Sequence, residues 1–192
     1  LFPYTTLFRS ALFKAMMMNV GNQIIAEKNW LSELDGVIGD GDHGITMEIG
    51  WKAVQHALED EQGDETIEAI CKRMAKAFLD AVGASSGPLY ATAFLRAGTA
   101  VSNRLNLDGT GIAEWLAAAS QGIQDRGRAA PGDKTMIDAW VPAVEAANEA
   151  AKAGKSTLDV LIAARDGAEA GMKATAAMES RRGRSAKLGE RS

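Results

Sequence analysis

Apolar positions along this chain recur at three- and four-residue spacing, and alternating apolar/polar stretches are almost absent. That period marks amphipathic helices rather than half-buried strands. Seven helices joined by short loops follow from it. The first covers about 11–31, with Leu12, Ala15, Met16, Val20 and Ile24 on one apolar face. The second starts near His43-Gly44-Ile45-Thr46 and ends about Leu58. The third spans about 64–82, with Ile67, Ile70, Cys71, Met74, Phe78 and Val82 as its core face. The fourth, about 88–104, carries Leu89, Tyr90, Ala93 and Phe94, and Gly98 allows a close helix approach. The fifth, about 111–125, runs through Ile112, Trp115, Leu116 and Ile123. Thr135 with Asp138 and Ser156 with Asp159 have the spacing of capping boxes. They open a sixth helix ending about 153 and a seventh ending about 179. Short connections imply antiparallel neighbours, so the expected fold class is all-α, an antiparallel bundle or barrel. Alternate loops of an up-down bundle share an end. The loops 36–43, 83–88 and 127–135 are separated by helix pairs and are therefore expected to converge.

Composition narrows the function classes. The 192 residues suffice for a single domain with a real core, and neither an internal repeat nor a low-complexity linker divides them. Twenty-one Lys and Arg against 25 Asp and Glu give −4, which argues against a nucleic-acid surface. No stretch approaches the ~20 apolar residues of a membrane span, so no membrane partner and a cytoplasmic location are expected. The single Cys71 excludes an internal disulfide, and its apolar helical position points to a buried structural thiol. Met16-Met17-Met18 reads as core filler, and His56 as solvated.

The two ends stand apart. Residues 1–10, Leu1-Phe2-Pro3-Tyr4-Thr5-Thr6-Leu7-Phe8-Arg9-Ser10, match the translation of a sequencing-adapter oligonucleotide, and no initiator Met precedes them. They are expected to be a non-native artefact, leaving 11–192 as the domain. The chain stops at Glu190-Arg191-Ser192 without a terminal helix, so it is expected to be incomplete there.

The chemistry concentrates in Asp35-Gly36-Val37-Ile38-Gly39-Asp40-Gly41-Asp42-His43-Gly44. Glycines let the backbone turn sharply, and three carboxylates on one turn repel unless a cation lies among them. Carboxylate oxygens are hard ligands suited to Mg²⁺, which completes its shell with water and phosphate. A plain solvated acidic turn is the alternative. The segment also fits G-x-G-x-x-G on paper, but a helix precedes it and acids occupy its variable positions. An EF-hand fails on spacing. The following helix start offers N–H groups to an anion, Thr46 adds a hydroxyl, and His43 is expected to brace the turn or touch a nucleotide rather than act as acid or base. Gly83-Ala84-Ser85-Ser86-Gly87-Pro88 is a second small-residue loop. Residues 126–135 form a third, carrying Arg126, Arg128 and Lys134. The basic tail 181–191 reads as solvated on its own, and as a source of a phosphate-binding Arg beside a metal site.

Four separated motifs carry a family resemblance. They are Asp35-x4-Gly39-Asp40-Gly41-Asp42-His43-Gly44, Gly83-Ala84-Ser85-Ser86-Gly87-Pro88, Pro131-Gly132-Asp133-Lys134-Thr135-Met136, and Gly183-Arg184-Ser185 with Leu188-Gly189-Glu190-Arg191-Ser192. Together the chain resembles, from about 11 to 192, the nucleotide-binding L subunit or L domain of dihydroxyacetone kinases. The resemblance implies an eight-helix antiparallel barrel with ADP or ATP at one end. It implies Asp35, Asp40 and Asp42 as ligands of two Mg²⁺ ions, and His43, Gly44, Ile45 and Thr46 at the nucleotide. Thr46 stands where such proteins often carry Asn. It places Ser85 and Ser86 in a second contact loop, Gly127 and Met136 near the adenine, and Arg184 at the phosphates.

By the same resemblance a partner K subunit holds dihydroxyacetone, which agrees with the lack of an obvious general base for a sugar hydroxyl in this chain. The donor is either retained ADP, recharged by a phosphotransferase-system phosphoprotein, or exchanging ATP; a homodimer is allowed. Related keto-sugar kinases and a non-catalytic nucleotide-binding regulator are the alternatives. The family continues into an Asp-Pro-Gly loop and a last helix, so about seven helices and an exposed apolar groove are expected here.

Overall fold

The computed structural model describes residues 8–59 and 65–191, without the side chains of Arg184, Leu188, Glu190 and Arg191. Eight α-helices are found among them: α1 Ser10–Ala26, α2 Lys28–Gly36, α3 His43–Glu59, α4 Ile67–Ala81, α5 Ser86–Ala100, α6 Gly109–Gly127, α7 Ile137–Lys152 and α8 Thr157–Ala174. Short 3-10 turns follow at 175–177 and 184–191. Two-residue strands β1 (Phe8–Arg9) and β2 (Asn106–Leu107) pair antiparallel, Phe8 opposite Leu107. Phe8, Arg9 and Ser10, the last three positions of the expected artefact, therefore pack on the fold; the first seven lie outside the described residues.

The fold class is all-α, as expected, but the count of eight arises differently. The first expected helix breaks at Glu27, where φ is −90° and ψ 7°. Unbroken from Ser10 to Gly36 it would run about 40 Å, against about 25 Å for α3. The break lets both α1 and α2 lie along α3. From α3 onward each helix packs on the next, and α8 also reaches α6. The connections after α2, α4 and α6, and the segment after α8, occupy one end.

The α4 stripe is buried as its spacing requires: Ile67, Ile70, Cys71, Met74 and Phe78 are all fully buried. The α1 face is one position off. Leu12 is exposed, and the buried stripe is Phe13, Met17 and Gly21. The reason lies in packing. Phe13 stands edge-on to Trp115 of α6 at 5.4 Å. At Gly21 the Gln55 side chain of α3 lies where a Cβ would reach it at 2.9 Å. Trp51, Phe78 and Phe94 form an edge-to-face cluster at 6.0–6.4 Å, each large side chain contributing roughly 1.5–3 kcal/mol by burial. Gly98 brings α5 against α4: a Cβ there would lie 2.7 Å from Cys71 Cβ.

Capping fixes several starts. Thr66, Asp108 and Ser156 accept hydrogen bonds from the N–H groups of Ala69, Gly111 and Asp159. The Thr135–Asp138 capping box keeps its reciprocal half, the acid reaching back to the Thr135 N–H. The Asp138 carboxylate accepts from Thr135 N and Gly132 N, while Thr135 Oγ1 accepts from Ile137 N. A helix start thus becomes a brace for the loop before it.

Burial pushes the Cys71 thiol up to about 12 although Trp115 Nε1 donates to its sulfur at 3.3 Å. The thiol should therefore stay inert toward a disulfide reagent at pH 8 in the native chain and react fully in denaturant. Prompt native labelling would contradict this packing.

Candidate functional site

Asp35 sits in the last turn of α2, not in the loop, and Asp40 and Asp42 lie in the turn that follows. One carboxylate oxygen from each of the three lies within 4.8 Å of the others. The chain folds back on Asp35 to achieve this. Its carbonyl accepts from Gly39 N at 2.6 Å, and its Oδ2 accepts from Asp42 N at 3.1 Å. A Cβ at Gly39 would fall 2.2 Å from Asp35 Oδ1, and Gly41 has φ +73°, so glycine is required at both. Asp35 is half-buried, and Asp40 and Asp42 are exposed. Two charges at such separation repel by about 1 kcal/mol in water and by several in less polar surroundings. Hard oxygen donors with open sides fit Mg²⁺, which keeps sites for water and phosphate.

The start of α3 lies beside the triad. Four N–H groups at a helix start lack intrahelical partners. Here Asp42 N is engaged by Asp35, and Gly44 N donates to Ser32 Oγ at 3.2 Å. Among the described residues, the His43 and Ile45 N–H groups are the two left to an anion, a narrower cradle than His43–Thr46 as a whole. His43 is half-buried and Gly44 buried. A Cβ at Gly44 would fall 1.8 Å from the Lys28 carbonyl oxygen, so glycine there sets how closely α2 approaches α3.

The loops meet in sequence. Thr46 and Ile49 line a hollow of about 100 Å³ together with residues 81–84. Ser85 then lines a larger groove of about 490 Å³ whose other walls include Leu89, Ile123, Gly127, Met136 and Arg182. Ser86, expected beside Ser85, is instead buried in the first turn of α5. Leu89, Ile123 and Arg182 line the groove without any signal in the sequence that singles them out for it. The first two read as ordinary core positions, and Arg182 as one charge in a solvated run. The Arg184 side chain lies outside the described residues.

A family model described as "DAK2 domain" matches residues 37–192. The chain is 38% identical over 172 residues to "PEP-dependent dihydroxyacetone kinase, ADP-binding subunit DhaL" of Escherichia coli (strain K12), covering 90% of this chain and 81% of that protein. It is equally 38% identical to "PTS-dependent dihydroxyacetone kinase, ADP-binding subunit DhaL" of Lactococcus lactis subsp. lactis (strain IL1403), over 89% of this chain and 81% of that one.

The chain belongs to the DAK2-domain family.

The dihydroxyacetone kinase of C. freundii, solved in complex with AMP-PNP and Mg²⁺, superposes on this DAK2 chain with a TM-score of 0.74 at 26% identity, over 92% of the chain. The chain spans about a third of that kinase, 31% of its length.

The far wall of the groove in the DAK2 chain is wired by two buried carboxylates, Asp133 and Asp138. Asp133 Oδ2 accepts from Ala130 N at 3.0 Å and from Arg182 Nε at 2.9 Å. The Asp133 carbonyl accepts from Arg181 N, and Lys134 Nζ donates to the Met178 carbonyl. Residues 178–183 are thereby fastened to the third loop.

The Ala130 N–H, together with the Arg182 guanidinium, holds the Asp133 carboxyl below the usual carboxylate range. A depressed folded pKa stabilises above the unfolded value, about 3.9, and that stabilisation is lost as pH falls through the folded one. The fastening should therefore be constant from pH 8 to 5 and loosen only below about 4. Carboxyl ¹³C NMR of Asp133 should show a midpoint under the ordinary value; a midpoint above it would refute the linkage.

Proposed function

We propose that this DAK2 chain is a magnesium–nucleotide-binding phosphotransferase subunit, which passes a phosphoryl group from bound ATP to dihydroxyacetone held by a K-type partner subunit. ADP remains bound and is recharged by a phosphotransferase-system phosphoprotein. The observation that carries this reading is the three-aspartate cluster at the start of α3, continuous through the second loop with a groove of nucleotide size. The ADP-binding subunits of PEP- and PTS-dependent kinases among its relatives support the donor assignment.

Phosphoryl transfer asks a protein for positioning and charge neutralisation more than for covalent chemistry. Asp35, Asp40 and Asp42 would hold magnesium, two ions on this reading, and the bound metal would supply charge neutralisation at the phosphates. The His43 and Ile45 N–H groups and the Thr46 hydroxyl would orient the phosphate chain. Ser85 would stand between phosphates and ribose, Gly127 and Met136 against the base, and Arg184 at the phosphates. Leu89 and Ile123 supply the apolar wall against which a base packs.

The triad faces solvent, whereas the transfer step requires water to be excluded. Val37, Ile38 and Ile45 stand exposed around it, Val37 at 78%. An apolar rim of this kind supports closure by the partner that presents the sugar. Among the described residues no helix is long and apolar enough to cross a membrane, and the subunit is assigned to the cytoplasm with its partners.

Asp40→Ala and Asp42→Ala should each weaken Mg²⁺-dependent ADP binding by at least a hundredfold in calorimetry. Unchanged ADP affinity would overturn the assignment. Supplied with a K subunit, donor phosphoprotein and dihydroxyacetone, the wild-type chain should support sugar phosphorylation. ADP binding without any transfer would mark a regulatory nucleotide sensor instead.

A further inference from the structure

The helix that carries Asp35 is held unlike the others. None of the nine residues of α2 is buried. Trp30 and Leu34 are 52% and 51% exposed, and Glu27 offers no side-chain cap. Apolar burial, which fixes α3 to α7 in place, therefore does little for α2. Its attachment to α3 is polar and close-range. Lys28 Nζ meets Glu48 Oε1 and Oε2 at 3.0 and 2.8 Å, and Lys52 Nζ shares Oε1 at 2.8 Å. The Lys28 carbonyl lies against Gly44. Ser32 Oγ accepts the Gly44 N–H.

We propose that Ser32, supported by the Lys28–Glu48 ion pair, is the positioning residue that registers Asp35 against Asp40 and Asp42. This rests on the reading of the triad as a divalent-cation site. Ser32 stands one helical turn before Asp35, on the same face of α2. Gly44 stands two residues after Asp42. The Ser32–Gly44 bond therefore ties the helix that brings one ligand to the helix that begins beside another. A shift of about 1 Å between ligand-bearing elements is enough to spoil a preorganised metal site. Ser32 touches neither metal nor substrate on this account and acts only through Asp35 and Gly44. The bond also explains why Gly44 N, at the head of α3, is not left to the phosphate.

The test uses the full chain with Mn²⁺ alone as a paramagnetic probe, so that it reads the triad without nucleotide or turnover. Ser32→Ala should weaken Mn²⁺ binding about tenfold, the effect of losing one hydrogen bond that orders a ligand. Lys28→Met should weaken it by about threefold to tenfold. Ser32→Thr, which keeps the hydroxyl, should bind as wild type. The metal-free Tm of Ser32→Ala should fall by no more than about 4 °C, because no residue of α2 is fully buried and a single hydrogen bond is lost. Wild-type Mn²⁺ affinity in Ser32→Ala, or an equal loss in Ser32→Thr, would overturn the proposal. So would a fall in metal-free Tm large enough to account for the lost binding. Failure of the wild-type chain to bind ADP would strike the kinase reading, while the Mn²⁺ series still decides the role of Ser32.

Discussion

Three like charges within 4.8 Å of one another are the constraint to which the site end of this molecule answers. Nothing in a helical bundle favours such a cluster, and the chain invests local geometry to hold it. Glycine at 39 and 41 lets the turn fold onto Asp35, and glycine at 44 lets α2 approach α3 to backbone contact. Asp35 is also the acceptor for the turn's own N–H groups, through its carbonyl to Gly39 and its carboxylate to Asp42. The cluster is therefore built around one residue and becomes electrostatically comfortable when a divalent cation joins it.

The rest of the fold supplies a platform. The packed stripe of α4 and the Trp51–Phe78–Phe94 cluster hold the middle helices rigidly. Even-numbered helices then end at the same pole. That parity delivers the acidic turn, the small-residue loop and the third loop side by side, and the segment after α8 is fastened to the third loop through Asp133. This one pole uses polar groups in two ways. At the acidic turn, three carboxylates converge within 4.8 Å of one another. On the groove wall, a carboxylate is paired with Arg182 and held ionised.

Much of this was legible in the residues, and the exceptions have physical causes. The helix-forming period, the α4 core face and the acidic cluster could all be read directly, because spacing and composition are local properties. The break at Glu27 could not, since neither proline nor glycine marks it and it answers to the length of α3. The α1 face was misread by one position because Gly21, which looks featureless in sequence, is where Gln55 packs. Ser86 looked equivalent to Ser85 until the helix start buried one and exposed the other. Leu89 and Ile123 have the pattern of core residues, and only tertiary packing turns them toward a groove. Ser32 carries no motif, and its role exists only where α2 meets α3.

The most direct measurement is ³¹P electron–nuclear double resonance on the wild-type chain loaded with Mn²⁺ and ADP. Strong coupling between manganese and a nucleotide phosphorus, present with the chain and abolished when Asp40 and Asp42 are both replaced by Ala, is the predicted result. A bound nucleotide whose phosphorus shows no coupling to the metal, or coupling that survives loss of both aspartates, would contradict the account.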